Sequence, residues 1–282
     1  MLLVTTKVAV RSRRDELARH GRRLAFVPTM GALHDGHLSI VRHARTLADE
    51  VWTSIFVNPT QFGPGEDIDR YPRTLERDRE RLAAEGVALL FAPTAKEVYP
   101  RPSATRIDVP ELAAGLCGAQ RPGHFAGVAL VVAKLLNIVQ PHVAVFGAKD
   151  WQQATIVRRM TSDLDMPVKV VVAPTVREDD GLAMSSRNAY LDPEERKAAT
   201  ALHRALARAE AAVHGGERRG AALEALLIRA VAEEPLARLQ YAAAVDPDTL
   251  APVDVVAARV LLALAVHVGP TRLIDNVLAE VL

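Results

Sequence analysis

Apolar residues in the first 175 positions come in short runs separated by segments with helical spacing. The runs Leu24–Val27, Val51–Val57, Ala88–Phe91, Val143–Phe146 and Val168–Val172 predict short strands. Helical spacing marks Leu38–Ala48, with apolar residues at Leu38, Ile40, Val41 and Ala44, and again Thr74–Glu85, Gly127–Val139 and Gln152–Leu164. This alternation predicts an α/β fold, a parallel sheet flanked by helices. After Pro174 the pattern changes. Pro193 starts a long Ala/Arg/Glu-rich helix, broken at Gly215-Gly216 and followed by a second helix near Ala221–Ala232. Short β-like runs at Leu239–Val245, Val260–Val268 and Leu273–Val277 then predict a smaller α+β domain.

With 282 residues the chain exceeds a typical single domain. It is read as two domains, residues 1–175 and 176–282. An apolar content of 49% supplies sizeable cores, and a formal charge of +1 gives no reason to expect nucleic acid as a partner. The single cysteine, Cys117, cannot form an intrachain disulfide, which suits a reducing cytoplasm. It reads as a small buried hydrophobe. Residues 1–10 carry Lys7 and no sustained apolar core, so no secretory leader is expected. The most apolar region, 126–146, is interrupted by Lys134, Asn137, Gln140 and Pro141, against the ~20 apolar residues that a membrane span needs.

Candidate chemistry falls just after predicted strands, where open α/β sheets bind ligands. Pro28-Thr29-Met30-Gly31-Ala32-Leu33-His34-Asp35-Gly36-His37 joins a strand to a helix N-terminus. Free backbone N–H groups and the helix dipole make such a junction an anion site. His34 and His37, three residues apart, share one face and can donate to phosphate oxygens. An isolated His-x-x-His is more often a solvated pair or a metal site. The preceding strand and the glycines at 31 and 36 turn this one toward phosphate.

Three further segments stand out. Asn58-Pro59-Thr60-Gln61-Phe62 is either an ordinary turn or a substrate loop, in which the Gln61 amide accepts from a hydroxyl and donates to a carboxylate. In Phe146–Gln153, Gly147 permits close backbone approach, Lys149 brings a point charge for phosphate, and Gln153 lies on the first helical turn. A solvated Lys149–Asp150 pair is the alternative. Arg177–Asn188 contains Met184-Ser185-Ser186-Arg187, two hydroxyls and a guanidinium suited to triphosphate oxygens on a loop expected to be mobile. Asp78 reads as a surface helix charge or as a Mg²⁺ contact shared with phosphates.

His-x-Gly-His at 34–37 is similar to the signature of adenylyl- and cytidylyl-transferring nucleotidyltransferases, including class I aminoacyl-tRNA synthetases. Met184–Arg187 resembles the Lys-Met-Ser-Lys-Ser loop of the same superfamily. Together with Phe56–Phe62, Tyr71–Thr74, Leu116–Gly118, Arg121–Phe125, Lys149–Gln153, Gly181–Asn188 and Thr271–Asn276, these motifs make nearly the whole chain resemble the pantoate–β-alanine ligases, or pantothenate synthetases.

The resemblance implies a Rossmann-like N-terminal domain with a smaller C-terminal lid domain, a homodimer, and ATP with Mg²⁺. It also implies condensation of pantoate with β-alanine through pantoyl adenylate. ATP contacts are implied for Met30, Gly31, Ala32, Leu33, His34, Asp35, Gly36 and His37, for Gly147, Ala148, Lys149 and Asp150, and for Val176, Met184, Ser185, Ser186 and Arg187. His37 matches the proton donor, with His34 beside it on the phosphates, and Lys149 and Arg187 complete the charged catalytic set. Gln61 and Gln153 match the glutamines that hold pantoate, Gln61 also serving β-alanine, and Asp78 matches a Mg²⁺ contact. Ala148 and Leu130 depart from the family pattern, which often has a polar residue and a threonine there. Rival readings are a metal-dependent phosphohydrolase using His34 and Asp35, a nucleotide-sensing module, and a nucleotidyltransferase acting on another small acid or a phosphate monoester.

Overall fold

The structure, a computed structural model, describes residues 1–63, 65–66 and 68–282. In chain order its strands are β1 (Leu2–Val4), β2 (Leu24–Thr29), β3 (Glu50–Ile55), β4 (Leu89–Phe91), β5 (Val143–Gly147), β6 (Lys169–Ala173), β7 (Ala237–Val245), β8 (Arg259–Val268) and β9 (Thr271–Glu280). Its helices are α1 (Lys7–Arg19), α2 (Asp35–Arg45), α3 (Leu75–Ala84), α4 (Ala95–Val98), α5 (Pro110–Ala113), α6 (Leu116–Gln120), α7 (His124–Val139), α8 (Trp151–Asp163), α9 (Pro193–Ala198), α10 (Ala201–His214) and α11 (Gly220–Ala232).

The chain divides into two compact units. One contains Met1–Val109, Arg121–Ala148 and Ile156–Pro174; the other contains Pro110–Gln120, Lys149–Thr155 and Thr175–Leu282. Two short segments, 110–120 and 149–155, thus belong with the later part of the chain although they precede residue 175.

In the first unit six strands form one sheet in the order β1-β4-β3-β2-β5-β6, every neighbouring pair parallel. This is the predicted parallel α/β sheet. From β2 the chain builds outward through β3 and β4, then returns to the other side of β2 with β5. The order therefore reverses between β2 and β5, a topological switch point. Their ladder covers only Ala25↔Val143 and Phe26↔Ala144, so the C-terminal ends of both strands run on without pairing to each other. The apolar runs fill a core against α2 and α3, including Ala25, Val27, Val41, Val51, Leu82 and Val145. The helix α7 is buried along most of its length, as its continuous apolar sequence requires.

The second unit carries an antiparallel sheet, β7-β8-β9, whose apolar face packs with α10 and α11 in a separate core. Here the sequence expectation of one long helix from Pro193 fails. Residues 199–200 separate α9 from α10, and the Thr200 hydroxyl turns back to donate to the Lys197 carbonyl (2.8 Å). Such local side-chain bonding competes with helix continuation. Strand β1 and helix α1 have no clear pattern in the sequence. In α1 only Val10 and Leu17 are buried, too thin a stripe for periodicity to reveal.

Candidate active site

The turn after β2 is the most locally built part of the site. Gly31 (φ +86°) and Ala32 (φ +50°) are both left-handed, a conformation that costs an L-residue such as alanine ~1–2 kcal/mol. The carboxylate of Asp78 holds the turn there. It accepts from the Ala32 and Leu33 N–H groups, each at 2.9 Å, and from the Thr74 hydroxyl at 3.1 Å. Gly31 leaves room for this carboxylate, because a Cβ there would lie 3.2 Å from Asp78 Oδ2 and 3.0 Å from Ile55.

Asp78 is 1% exposed, so the expectation of a surface charge is overturned. Its two oxygens already receive three donors, and a magnesium ion would compete with them. Among the described residues no group of three or more His, Cys, Asp or Glu side chains could hold a metal ion.

His34 is the N-cap of α2 and His37 its third helical residue. Their ring centroids lie 4.0 Å apart, so the sequence expectation that they share a face holds. The His34 N–H donates to His37 Nδ1 at 3.4 Å, which leaves Nε2 as the proton-bearing nitrogen of a neutral His37. A donor directed from a helix N-terminus suits a phosphate oxygen. Asp35 is exposed and paired with Arg81, which also donates to the Leu33 carbonyl (2.6 Å). That pairing argues against His34-Asp35 as a metal pair.

Gln61 ends a single 3-10 turn, Pro59–Gln61, after β3. The Asn58 amide donates to Gln61 Oε1 (3.0 Å) and to the Gly127 carbonyl (3.2 Å), while Gln61 Nε2 meets Met30 Sδ at 3.2 Å. Helix α7 comes this close only because residue 127 is glycine: a Cβ there would sit 2.2 Å from the Thr60 carbonyl oxygen. The Gln61 carbonyl faces His124 Nδ1 (2.8 Å) and receives Arg121. Arg121 pairs in turn with Glu66. Burial pulls the Glu66 carboxyl upward, but the hydrogen bond and charge of Arg121 outweigh it and hold the pKa below the ordinary value. The sequence marks Arg121–Phe125 as a motif, but the partners of Arg121 and His124, Gln61 and Glu66, are supplied by the tertiary fold.

In the second unit Lys149 sits in the 3-10 turn Ala148–Asp150, and Gln153 lies on the first turn of α8, as expected. Among the described residues the Gln153 amide has no protein hydrogen-bond partner and is partly exposed. Its neighbour Gln152 is fully employed: Oε1 accepts from the Cys117 N–H (3.0 Å) and Nε2 donates to the Leu112 and Gly115 carbonyls (both 2.9 Å). Cys117 is buried, but it is more than an apolar filler. Its sulfur meets the Tyr241 hydroxyl at 3.2 Å and the Arg272 guanidinium at 3.4 Å.

The segment Arg177–Asn188, expected as a mobile loop, carries local hydrogen bonds of its own. A hairpin pairs Arg177 with Ala183, Met184 N–H donates to the Val176 carbonyl (3.0 Å), and Gly181 turns at φ +90°. Ser185 then caps a 3-10 turn, Ser186–Tyr190, by accepting from the Arg187 N–H (3.3 Å).

A parallel sheet with a switch point, and a two-histidine helix N-terminus at the end of the strand beside it, define a doubly wound α/β protein whose helix start is chemically suited to an anion. Within that class the chain belongs to the pantoate–β-alanine ligase family, whose profile matches residues 2–278. The pantothenate synthetase of Heliobacterium modesticaldum is 55% identical over 266 residues, 94% of this chain and 95% of the relative. That of Moorella thermoacetica is 53% identical over 281 residues, 100% of this chain and 99% of the relative. The crystal structure of pantothenate synthetase from Thermus thermophilus superposes with a TM-score of 0.93 at 48% identity, covering 98% of this chain and 99% of that one. The pantoate–β-alanine ligase of Francisella tularensis, complexed with β-γ ATP and β-alanine, gives 0.81 at 34% identity over 99% and 97%.

Proposed function

We propose that the chain is an AMP-forming ligase that joins pantoate to β-alanine through pantoyl adenylate. The observation that carries this reading is the His34–His37 pair at the N-terminus of α2, beside the switch point of the sheet. A pantoate carboxylate oxygen attacks the α-phosphorus of ATP, and the bond to the bridging oxygen breaks as pyrophosphate leaves. The amine of β-alanine then attacks the acyl carbon of the adenylate, loses a proton, and expels AMP. Adenylation gives a carboxylate, itself a poor electrophile, a good leaving group. Catalysis of this kind rests on positioning and on stabilising charge that moves onto phosphate oxygens.

In this reading ATP is held by Met30–His37, Gly147–Asp150, Val176 and Met184–Arg187. His37 donates a proton-bearing nitrogen to the phosphates with His34 beside it, and Lys149 and Arg187 supply fixed positive charge. Gln61 and Gln153 hold pantoate, Gln61 offering its Nε2–H while Asn58 fixes the amide's orientation. Asp78 shapes the turn and would supply the protein's contact to a Mg²⁺ ion bound with the phosphates, where the ion would offset phosphate charge. A two-domain division at residues 175/176 with the second part as a lid, a homodimer and a cytoplasmic location complete the reading. Among the described residues no helix is long and apolar enough to cross a membrane.

The test is product identification with ATP, Mg²⁺, pantoate and β-alanine. AMP, pyrophosphate and pantothenate in equal amounts are expected. Turnover with a phosphate monoester in place of pantoate would favour the general nucleotidyltransferase reading, and tight ATP binding without turnover would favour a sensor.

A further inference from the structure

Three side chains in the second unit tie two phosphate-binding segments to one strand. Asp275 and Asn276, in the middle of β9, are 2% and 8% exposed. Arg177 reaches Asp275 with both terminal nitrogens, Nη1 at 2.6 Å from Oδ2 and Nη2 at 3.1 Å from Oδ1. The same guanidinium donates to the Gly181 carbonyl (3.0 Å) and the Asn276 carbonyl (3.3 Å). Asn276 Nδ2 donates to the backbone carbonyl of Lys149 at 2.8 Å. The Asn276 N–H in turn donates to Asp275 Oδ1 (2.8 Å), which orients that carboxylate toward Arg177.

Arg177 lies at the base of the hairpin that delivers Met184–Arg187, and Lys149 follows the end of β5. These segments are far apart in sequence, yet one buried acid–amide pair holds both: Asn276 bonds the Lys149 carbonyl, and Asp275 holds the Arg177 guanidinium, which donates to the Gly181 carbonyl. We propose that Arg177, Asp275 and Asn276 are positioning residues, which fix the Lys149 ammonium and the Met184–Arg187 loop in one register for the α-phosphate. The proposal rests on the reading that Lys149 and this loop act on ATP. A buried carboxylate on a strand would otherwise be expensive to keep, and its fork geometry with Arg177 is the planar pairing that transmits orientation as well as charge. The Asn276 amide donates to the Lys149 main chain, so in this proposal it acts through Lys149.

A double-mutant cycle with Lys149 tests this directly. In the otherwise unchanged enzyme, Asn276→Ala is expected to lower kcat about tenfold, the scale of a small misplacement of a catalytic group, with the KM for β-alanine unchanged. In a Lys149→Ala background the same change is expected to lower kcat less than about twofold, since the group it positions is gone. Equal losses in both backgrounds would mean a general structural role and would overturn the proposal, as would no loss in either. If Lys149→Ala alone leaves turnover near normal, the assignment of Lys149 to ATP fails, and the proposal with it. If Lys149→Ala is crippled while Asn276→Ala is not, only the positioning proposal fails. Circular dichroism and melting curves establish folding. Should Asn276→Ala not fold, Asn276→Ser, whose side chain is too short to reach the carbonyl, replaces it in the same cycle.

Discussion

The turn after β2 and the Lys149 turn both serve phosphate in the proposed mechanism, but they are held in different ways. The first is built within ten consecutive residues plus one carboxylate: Gly31 and Ala32 take left-handed backbone, Asp78 accepts the Ala32 and Leu33 N–H groups, and the helix start presents His34 and His37. The second is a short 3-10 turn between β5 and α8, and it adds a distant tie. Its carbonyl is held by Asn276, 127 residues away, and the partner hairpin is held by Asp275, 98 residues from Arg177. A phosphate site made by backbone geometry can be recognised in a short stretch of sequence. One made by a single mobile charge needs a distant scaffold to become a rigid donor.

This contrast is open to direct attack. The largest effect is expected at Lys149, where charge delivered by one side chain has no backbone substitute. Lys149→Ala should lower kcat by at least about 10²-fold, the scale for removing one donor to a developing oxyanion. Its melting temperature should be nearly unchanged, because the ammonium takes no part in a core. Steady-state kinetics with a thermal melt decides it, and near-normal turnover would reduce Lys149 to a solvated charge.

Asp78→Ala should behave differently, losing stability and activity together. The Ala32 and Leu33 N–H groups would be left without their acceptor, at ~1–3 kcal/mol each, and the left-handed Ala32 would lose its brace. Denaturant melts should show the loss in ATP-free protein. An unchanged midpoint with lost activity would instead make Asp78 a ligand group, as a magnesium contact requires.

Gln61→Ala sharpens the comparison by removing the proposed pantoate-binding amide while leaving both proposed phosphate turns in place. An unpaired polar group of bound pantoate should cost ~1–3 kcal/mol. The KM for pantoate should rise accordingly, with calorimetric ATP affinity little changed. Lost ATP affinity at constant pantoate KM would assign the loop to the wrong substrate.

The smallest effect concerns pH, and each unit supplies one histidine. Burial, with Arg14 and Arg23 nearby, lowers the pKa of His142 from its ordinary 6.5; burial with Arg238 and Arg272 lowers that of His267. A depressed histidine pKa means the unfolded chain binds more protons, so stability rises with pH. The stabilisation is fully present above 6.5 and is lost as pH falls through the folded value. Melting temperature should therefore decline on acidification below that point, and His142→Asn should flatten the decline. A variant with an unchanged pH profile would remove His142 from the account.

Much of the first unit is legible in the sequence because its determinants are short-range. Continuous apolar runs mark the buried strands, and the spacing of Leu38, Val41 and Ala44 marks the inner face of α2. The His34–His37 pairing follows from their three-residue spacing across the helix start, with the His34 N–H reaching His37 Nδ1. Asp78 reads as a surface charge because its partners, Ala32 and Leu33, lie 46 and 45 residues away. The same blindness hides Gln152 and Asn276: an amide on a helix or strand looks solvated until the fold brings carbonyls to it. The break between α9 and α10 escapes the pattern because residues 199–200 keep right-handed helical backbone and only the hydrogen-bond ladder shifts, with the Thr200 N–H donating to the Lys197 carbonyl.

Isotope exchange between pyrophosphate and ATP tests the adenylate chemistry at the centre of this account most directly. With Mg²⁺ and pantoate present and β-alanine absent, labelled pyrophosphate should enter ATP, and addition of β-alanine should then yield AMP as the final nucleotide. Exchange that requires β-alanine, or release of ADP in place of AMP, would contradict the account.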